Sequence, residues 1–245
     1  MRKYYVCILL ILFAFSGANA QQEGKLYAVI VGVSEYEDPQ NNLSYSHRDA
    51  MEMKDLFLQL TPESSLRLLT NQRATRDNIL RAANELFSRA QPKDMIVFYF
   101  SGHGGDGCFY GHDKAFYFSA LKEAFRQSKA ERKVILADAC YSGTLRTPAS
   151  EEQIGNDSLG SDVLLFLSSR SDQTSQETIF IRNGAFTYFL LAGLKGGADV
   201  NRDKIVTAKE LFLFVNPKVK ERTNNAQVPV MWGRFDDDMV ILDWN

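Results

Sequence analysis

Hydrophobic and polar positions alternate in blocks along most of the chain. Five short, mainly apolar segments predict strands, and the β-branched residues of the first segment are typical of a strand buried on both faces. These segments are residues 26–33, 66–69, 95–100, 134–137 and 163–167. Apolar residues at helical spacing separate the first four, over 49–60, 75–90 and 121–128. This alternation predicts an α/β fold with a mostly parallel central sheet and helices on both faces.

The remaining chain adds further elements to this sheet. Helices are predicted over 185–194 and near 209–219, and a final short strand over 228–232. We therefore expect about six strands in the sheet. Residues 142–162 are polar and rich in Gly, Ser, Asn and Glu, which predicts a long exposed loop between the fourth and fifth strands.

The first twenty residues have the pattern of a cleaved signal peptide. Arg2 and Lys3 precede an apolar run over residues 6–15, and Ala18-Asn19-Ala20 supplies small residues at a cleavage site. The apolar run is too short for a permanent transmembrane helix. We expect export to a periplasm or beyond the cell, no membrane attachment after removal of the signal, and a mature protein of one domain over residues 21–245.

Composition restricts the partners. The chain is 45% hydrophobic and 24% charged, with a net charge of −2, so it lacks the basic surplus typical of nucleic-acid-binding proteins. Of its three cysteines, Cys108 and Cys140 would remain after cleavage at residue 20. In an exported protein these two could form a disulfide, which competes with any role for a free thiol.

Two strand ends carry residues suited to chemistry. The third predicted strand continues into Ser101-Gly102-His103-Gly104-Gly105, and the fourth into Asp138-Ala139-Cys140-Tyr141-Ser142-Gly143. Ligands of parallel α/β sheets bind beyond the carboxyl ends of the strands. If the two strands are neighbours, His103 and Cys140 meet at one edge. An imidazole there can accept the proton of a thiol, and the backbone N–H groups of Gly104 and Cys140 can bind an oxyanion.

The two strand-end blocks resemble the catalytic blocks of the caspase and metacaspase family. Residues 26–36, with Asn42-Leu43 and Asp49-Ala50, resemble its opening strand and first helix, and residues 168–176 resemble a later metacaspase segment. The resemblance implies a caspase-like α/β sandwich and a cysteine-type endopeptidase. In it, Cys140 is the nucleophile, His103 is the general acid and base, and no cofactor is needed for the chemistry.

The same resemblance bears on specificity. Caspases that cut after aspartate have Gln two residues before the cysteine and Arg ahead of the first helix, whereas this chain has Asp138 and Leu43. The positions of Asp49, Ser101 and Asp138 match residues that line a pocket for basic side chains in metacaspases. A buried carboxylate is costly without a cation, so we expect peptide or protein substrates with Arg or Lys before the cut bond.

A second candidate site lies near the C-terminal end. Oxygen-bearing groups recur at the spacing of an EF-hand calcium loop, namely Asp199, Asn201, Asp203, the carbonyl of Ile205, Thr207 and Glu210. Lys204 departs from the pattern, because the sharp turn there favours Gly. The alternative interpretation is a polar turn that caps the following helix.

Two other interpretations stay open at this point. A catalytically idle caspase-like module could bind basic peptides without cutting them. Alternatively, Cys108 and His112 could join His103 and Cys140 in a Cys₂His₂ zinc site, although no CxxC or HExxH pattern supports this.

Overall fold

The structure is a computed structural model that describes residues 24–105, 107–139, 163–170, 184–233 and 235–245. Ser169 and Arg170 are described through their backbone alone. In these ranges the chain forms eleven strands and five α-helices. The strands are β1 (Leu26–Gly32), β2 (Leu66–Thr70), β3 (Met95–Gly102), β4 (Gly104–Gly105), β5 (Cys108–Tyr110), β6 (Ala115–Tyr117), β7 (Arg132–Ala139), β8 (Val163–Arg170), β9 (Ile205–Thr207), β10 (Gln227–Trp232) and β11 (Val240–Asp243). The helices are α1 (Ser46–Phe57), α2 (Arg76–Phe87), α3 (Phe118–Gln127), α4 (Ala185–Ala192) and α5 (Ala208–Arg222).

Six of these strands form the central sheet, in the order β10, β8, β7, β3, β1, β2. All neighbours are parallel except β10, which runs antiparallel to β8 at one edge. The prediction of a mostly parallel six-stranded α/β sheet is thus confirmed. Its predicted elements also exist, with ends that differ by a few residues; α1, for example, begins three residues before the predicted start at Asp49.

Both faces of the sheet are covered, and β3 shows how one strand serves both. Ile96, Phe98 and Phe100 pack into the cluster formed with α2 and α3. The alternating residues Met95, Val97 and Tyr99 pack into the cluster formed with α1, α4 and α5. Because successive side chains of a strand point to opposite faces, a strand covered on both sides needs an unbroken apolar run. The side chains of β3 on the α1 and α4 face therefore reach the site described below.

Helix caps explain where two of the helices begin. The Thr75 side chain accepts a hydrogen bond from the Asn78 N–H at the start of α2, as its position in the sequence predicts. Thr207 and Glu210 form a capping box at the start of α5. At its C-terminal end, α4 continues into a wider π-helical turn over Gly193–Gly197, where Gly196 takes a positive φ of 98°.

Two small sheets were not predicted from the sequence. Strands β4, β5 and β6 form an antiparallel sheet directly after His103, and β9 pairs with β11. Each contains a strand of two or three residues, which is too short for a periodic pattern. Phe109 of β5 stacks on Phe100 with ring centroids 4.3 Å apart, so the first small sheet packs on the α2 and α3 face of β3.

Three sequence predictions fall outside the described residues: the signal peptide over 1–20, the loop over 142–162, and the position of Cys140. None of the helices in the described ranges has the length and hydrophobicity that a membrane-spanning segment requires.

Candidate active site

The site lies at the edge where β3 and β7 end together. The two strands are parallel neighbours, with Ser101 opposite Asp138 and Gly102 opposite Ala139. The predicted meeting of these strands at one edge is therefore confirmed. His103 follows Gly102 in the sequence, and Cys140, which lies outside the described residues, follows Ala139.

His103 is held by the segment that follows β1. Its Nε2 lies 2.8 Å from the backbone carbonyl oxygen of Asn41. A carbonyl oxygen can only accept, so Nε2 carries a proton and, in the neutral ring, Nδ1 is the nitrogen able to accept one. The Tyr36 ring also packs against the imidazole, with centroids 4.9 Å apart. The sequence analysis named no residue that orients the histidine, and the structure assigns this to a main-chain carbonyl.

The backbone around His103 is fixed on both sides. Its N–H donates to the Tyr36 hydroxyl at 2.8 Å, and its carbonyl accepts from the N–H of Tyr110 in β5 at 3.0 Å. The preceding Gly102 fits a narrow space, because an added Cβ would lie 2.8 Å from the Phe100 ring and 2.9 Å from the Tyr36 hydroxyl oxygen. The glycine before His103 thus permits close packing of the strand end, while Gly104 after it begins the short strand β4.

The three residues predicted to form a pocket for basic side chains are brought together. Asp49 in α1, Ser101 in β3 and Asp138 in β7 are all buried, with 1%, 2% and 4% of their surface exposed. The Ser101 hydroxyl donates to Asp49 Oδ2 at 2.8 Å. Two carboxylates therefore share a buried site at the strand end that leads to His103.

The start of α4 contacts both carboxylates. The Gly184 N–H faces the two oxygens of Asp49 at 3.3 and 3.4 Å. Thr187 directs both its backbone N–H and its hydroxyl to Asp138 Oδ2, each at 3.1 Å. On the other side, the Ser168 hydroxyl donates to Asp138 Oδ1 at 3.0 Å. The carboxylates are thus oriented by fixed donors.

Burial and charge have a clear effect on Asp49. Burial, followed by the nearby Asp138 carboxylate, raises the pKa of Asp49 well above its ordinary value, and the hydrogen bonds from Ser101 and Gly184 only partly oppose this. Within the described residues, Asp49 forms no ion pair.

Several residues of this site were missed by the sequence analysis. Asn41 and Gly184 gave no signal, because they act through backbone groups. Tyr36 gave none because its side chain meets His103 only in the folded chain. Thr187 did give one. It lies on the apolar side of α4 with Phe186, Leu190 and Leu191, and a buried hydroxyl in such a position requires a hydrogen-bond partner.

The loop predicted to bind calcium is a network of hydrogen bonds among its own groups. The Asp199 carboxylate accepts from the N–H groups of residues 202, 203 and 204. Glu210 accepts from the N–H and hydroxyl of Thr207, as the alternative interpretation of a helix-capping turn proposed. Lys204 takes a positive φ of 66° where the sequence pattern favours Gly. In the described ranges, no group of three or more His, Cys, Asp and Glu residues could hold a metal ion.

The same finding bears on the zinc interpretation. Cys108 is buried in β5, within the antiparallel sheet that follows His103. His112 directs Nδ1 to the carbonyl oxygen of Glu35 at 2.7 Å. His103 Nε2 is engaged by the Asn41 carbonyl, so both histidines of this set contact main-chain oxygens.

Comparison with known proteins establishes the family. Residues 25–240 match the model of the caspase domain. The chain belongs to the caspase domain family. It is 27% identical to metacaspase-2 of Arabidopsis thaliana over 233 residues, which cover 76% of this chain and 56% of the plant protein. This confirms the resemblance to caspases and metacaspases found in the sequence.

Other matches are more local or concern only the fold. Metacaspase-1 of Schizosaccharomyces pombe is 38% identical over 91 residues, covering 34% of this chain and 21% of the yeast protein. The matches thus span about half or less of these two curated relatives. A crystal structure of a protein from Geobacter sulfurreducens superimposes with a TM-score of 0.65 at 19% identity, covering 90% of this chain and 98% of the other, which shows a shared fold.

Proposed function

We propose that this protein is a cysteine endopeptidase that hydrolyses peptide bonds after Arg or Lys, with Cys140 and His103 as its catalytic dyad. The buried pair of carboxylates, Asp49 and Asp138, is the observation that carries the proposal, because it lies at the same strand ends as His103. Membership of the caspase domain family supports the peptidase chemistry.

The proposed reaction uses the nitrogen of His103 that Asn41 leaves available. Nδ1 takes the proton of the Cys140 thiol, and the thiolate attacks the carbonyl carbon of the scissile bond. The backbone N–H groups of Gly104 and Cys140 stabilise the resulting oxyanion. His103 then donates its proton to the leaving amine, and water hydrolyses the acyl-enzyme. The Asn41 carbonyl stabilises the imidazolium that forms in between.

Specificity follows from charge. An Arg or Lys side chain that binds beside Asp49 and Asp138 offsets the repulsion that opposes ionisation of Asp49, so the cation and the ionised form of Asp49 stabilise each other. A planar guanidinium can also form two parallel hydrogen bonds with a carboxylate. An aspartate side chain would instead bring another negative charge next to the Asp138 carboxylate, so peptides with Asp before the cut bond are not substrates.

Fluorogenic peptides that differ only in the residue before the reporter amide test this proposal. We expect turnover of the Arg and Lys peptides by the protein without residues 1–20, and loss of turnover in Cys140→Ala and His103→Ala. An Arg-ending electrophilic probe should label Cys140 in the presence of a zinc chelator. Equal turnover of the Asp peptide contradicts the specificity, and undiminished turnover in Cys140→Ala contradicts the dyad.

A module that binds basic peptides without cutting them is the second candidate. The described residues favour it in one respect, since Asp49, Ser101 and Asp138 meet without any contribution from Cys140. Tight binding of Arg peptides by the unmodified protein, with neither turnover nor labelling of Cys140, would establish this function in place of the first.

Export and calcium binding complete the proposal. The pattern of residues 1–20 supports removal of a signal peptide, so the exported form should begin at Gln21. The intact mass of protein recovered outside the cytoplasm tests this. Calcium in the loop of residues 199–210 would have a structural role, because the loop precedes α5 and contributes no group to the carboxylate pair.

A further inference from the structure

Buried polar contacts join α4 to the carboxylate of Asp138. Thr187 has no exposed surface, although it carries a hydroxyl. Its Oγ1 lies 3.1 Å from Asp138 Oδ2 and 2.7 Å from the hydroxyl of Tyr99, which is also fully buried. A hydroxyl has one proton to donate, so it can donate to only one of these two neighbours and must accept a hydrogen bond from the other.

The carboxylate of Asp138 determines which group donates in each of these hydrogen bonds. The carboxylate of Asp138 accepts, so the Thr187 hydroxyl uses its only proton toward Asp138 Oδ2. The Tyr99 hydroxyl must then donate to Thr187 Oγ1. Tyr99, Thr187 and Asp138 thus form a chain of hydrogen bonds that all point toward the carboxylate, and the Thr187 backbone N–H adds a further donor to the same oxygen.

We propose that Thr187 is a positioning residue for specificity. Its hydroxyl, which accepts a hydrogen bond from Tyr99, holds the Asp138 carboxylate in the orientation that binds the basic side chain of the substrate. This inference rests on the proposed pocket for Arg and Lys and assigns a role within it to α4. Thr187 itself does not touch the cation in this scheme. Its effect reaches the substrate through Asp138.

A neutral copy of the substrate isolates this effect from general damage. Citrulline has nearly the shape of arginine without its charge, so the ratio of the two dissociation constants measures only recognition of charge. We would measure this ratio by calorimetry for a short peptide amide with one Arg and for its citrulline counterpart. The Cys140→Ala protein is the parent, because it can bind but not cut.

Thr187→Val keeps the shape and the backbone N–H but removes the hydroxyl. Loss of a hydrogen bond to a charged group should reduce the Arg preference by about 10-fold or more. Thr187→Ser, which keeps the hydroxyl, should restore most of it. Tyr99→Phe removes the donor to Thr187 Oγ1 together with a hydroxyl that interacts with Ser101, and it leaves the Thr187 hydroxyl on Asp138 in place. It should cause a smaller loss than Thr187→Val, and it tests the chain even if the valine variant fails to fold.

Thr61→Val is the matched control. Thr61 is also buried, with 6% exposed surface, and its hydroxyl donates to the Leu26 carbonyl oxygen at 3.0 Å, at the opposite end of β1 from the site. This control should leave the ratio unchanged. A ratio that is the same in Thr187→Val and Thr61→Val, in folded proteins, overturns the proposal.

The design also separates this inference from the proposed peptidase activity. If the protein with Cys140 does not cut, but the ratio still falls in Thr187→Val, the peptidase proposal fails and the positioning role stands. If the parent binds the Arg and citrulline peptides equally well, the pocket for basic residues and the role of Thr187 are both wrong.

Discussion

The backbone of Gly184 lies directly against the carboxylate of Asp138, where a Cβ atom added to the glycine would be 2.1 Å from Oδ2. The same added atom would be 3.4 Å from Asp49 Oδ2. Gly184 therefore sets how closely α4 approaches the strand ends, and its N–H donates to one of the two carboxylates. The geometry of the pocket depends on this close approach.

Gly184→Ala should displace the carboxylates and weaken turnover of Arg peptides. The clash with Asp138 should also cost about 1–3 kcal/mol of the free energy of unfolding, as overpacking of a buried site usually does. Urea denaturation and kcat/KM measure the two effects. In a double-mutant cycle, Asp138→Ala should relieve most of the cost, because it removes the clashing oxygen. An equal cost in both backgrounds would contradict this explanation.

Asp49→Asn should make the protein more stable at neutral pH while it abolishes the preference for Arg and Lys. The pKa of Asp49 is raised in the folded protein, chiefly by burial and then by Asp138, so ionisation of this group opposes folding. The native protein loses stability as pH rises from the unfolded pKa to the raised folded pKa, by about 1.4 kcal/mol per pH unit inside that window. The asparagine variant should lack this loss.

Asp94→Asn is a control of the opposite kind. Asp94 is also buried, but its two oxygens accept from the N–H groups of Lys25 and Gln91, each at 2.7 Å. We expect this variant to be destabilised, because an amide cannot accept both hydrogen bonds in the same way. If urea denaturation shows no gain in stability for Asp49→Asn over the native protein at neutral pH, the charge argument is wrong.

Binding of a basic side chain should be linked to loss of a proton. Because the raised pKa keeps Asp49 protonated to a higher pH than usual, an incoming guanidinium favours its ionisation and releases the proton to solvent. Affinity for the Arg peptide should therefore rise as pH rises toward the raised pKa. Calorimetry of Cys140→Ala in two buffers with different ionisation enthalpies should detect the proton, whereas the citrulline peptide and Asp49→Asn should show none.

Tyr36→Phe should slow the chemistry without changing the residue preferred before the cut bond. The variant removes the hydroxyl that accepts the His103 N–H but keeps the ring that packs on the imidazole. Loss of one hydrogen bond is worth about 1 kcal/mol, so we expect kcat to fall about 5-fold. The rate of Cys140 alkylation by iodoacetamide against pH should shift as well, while Tyr27→Phe on β1 should leave both unchanged. An unaltered alkylation profile in Tyr36→Phe would argue against a role for Tyr36 at the dyad.

Calcium binding by residues 199–210 remains a prediction from the sequence pattern. It requires the carboxylate of Asp199, which now accepts from three backbone N–H groups. Titration with millimolar calcium tests it: heat in the protein without residues 1–20 that is lost in Asp199→Ala would establish the site. The absence of heat in both proteins would leave the loop with its role as the cap of α5.

The pattern of apolar and polar residues was enough to predict the layers of the fold and the edge where the site lies. Strand β3 is an unbroken apolar run because both of its faces are buried, and this burial made the run visible in the sequence. The blocks after β3 and β7 were prominent for the opposite reason, since polar residues and glycines follow apolar strands directly. Family resemblance then assigned Asp49, Ser101 and Asp138 to one pocket.

Three-dimensional packing, rather than any sequence pattern, established what holds these groups in place. The partner of His103 is the main-chain carbonyl of Asn41, and every residue has such a carbonyl, so no side-chain pattern can indicate it. Gly184 and Thr187 reach the carboxylates because α4 packs beside α1 on one face of the sheet, far along the chain from both aspartates. The spacing of apolar residues along the chain indicates which side chains are buried. The hydrogen-bond partner of each buried polar group depends on contacts between residues that are distant in the sequence.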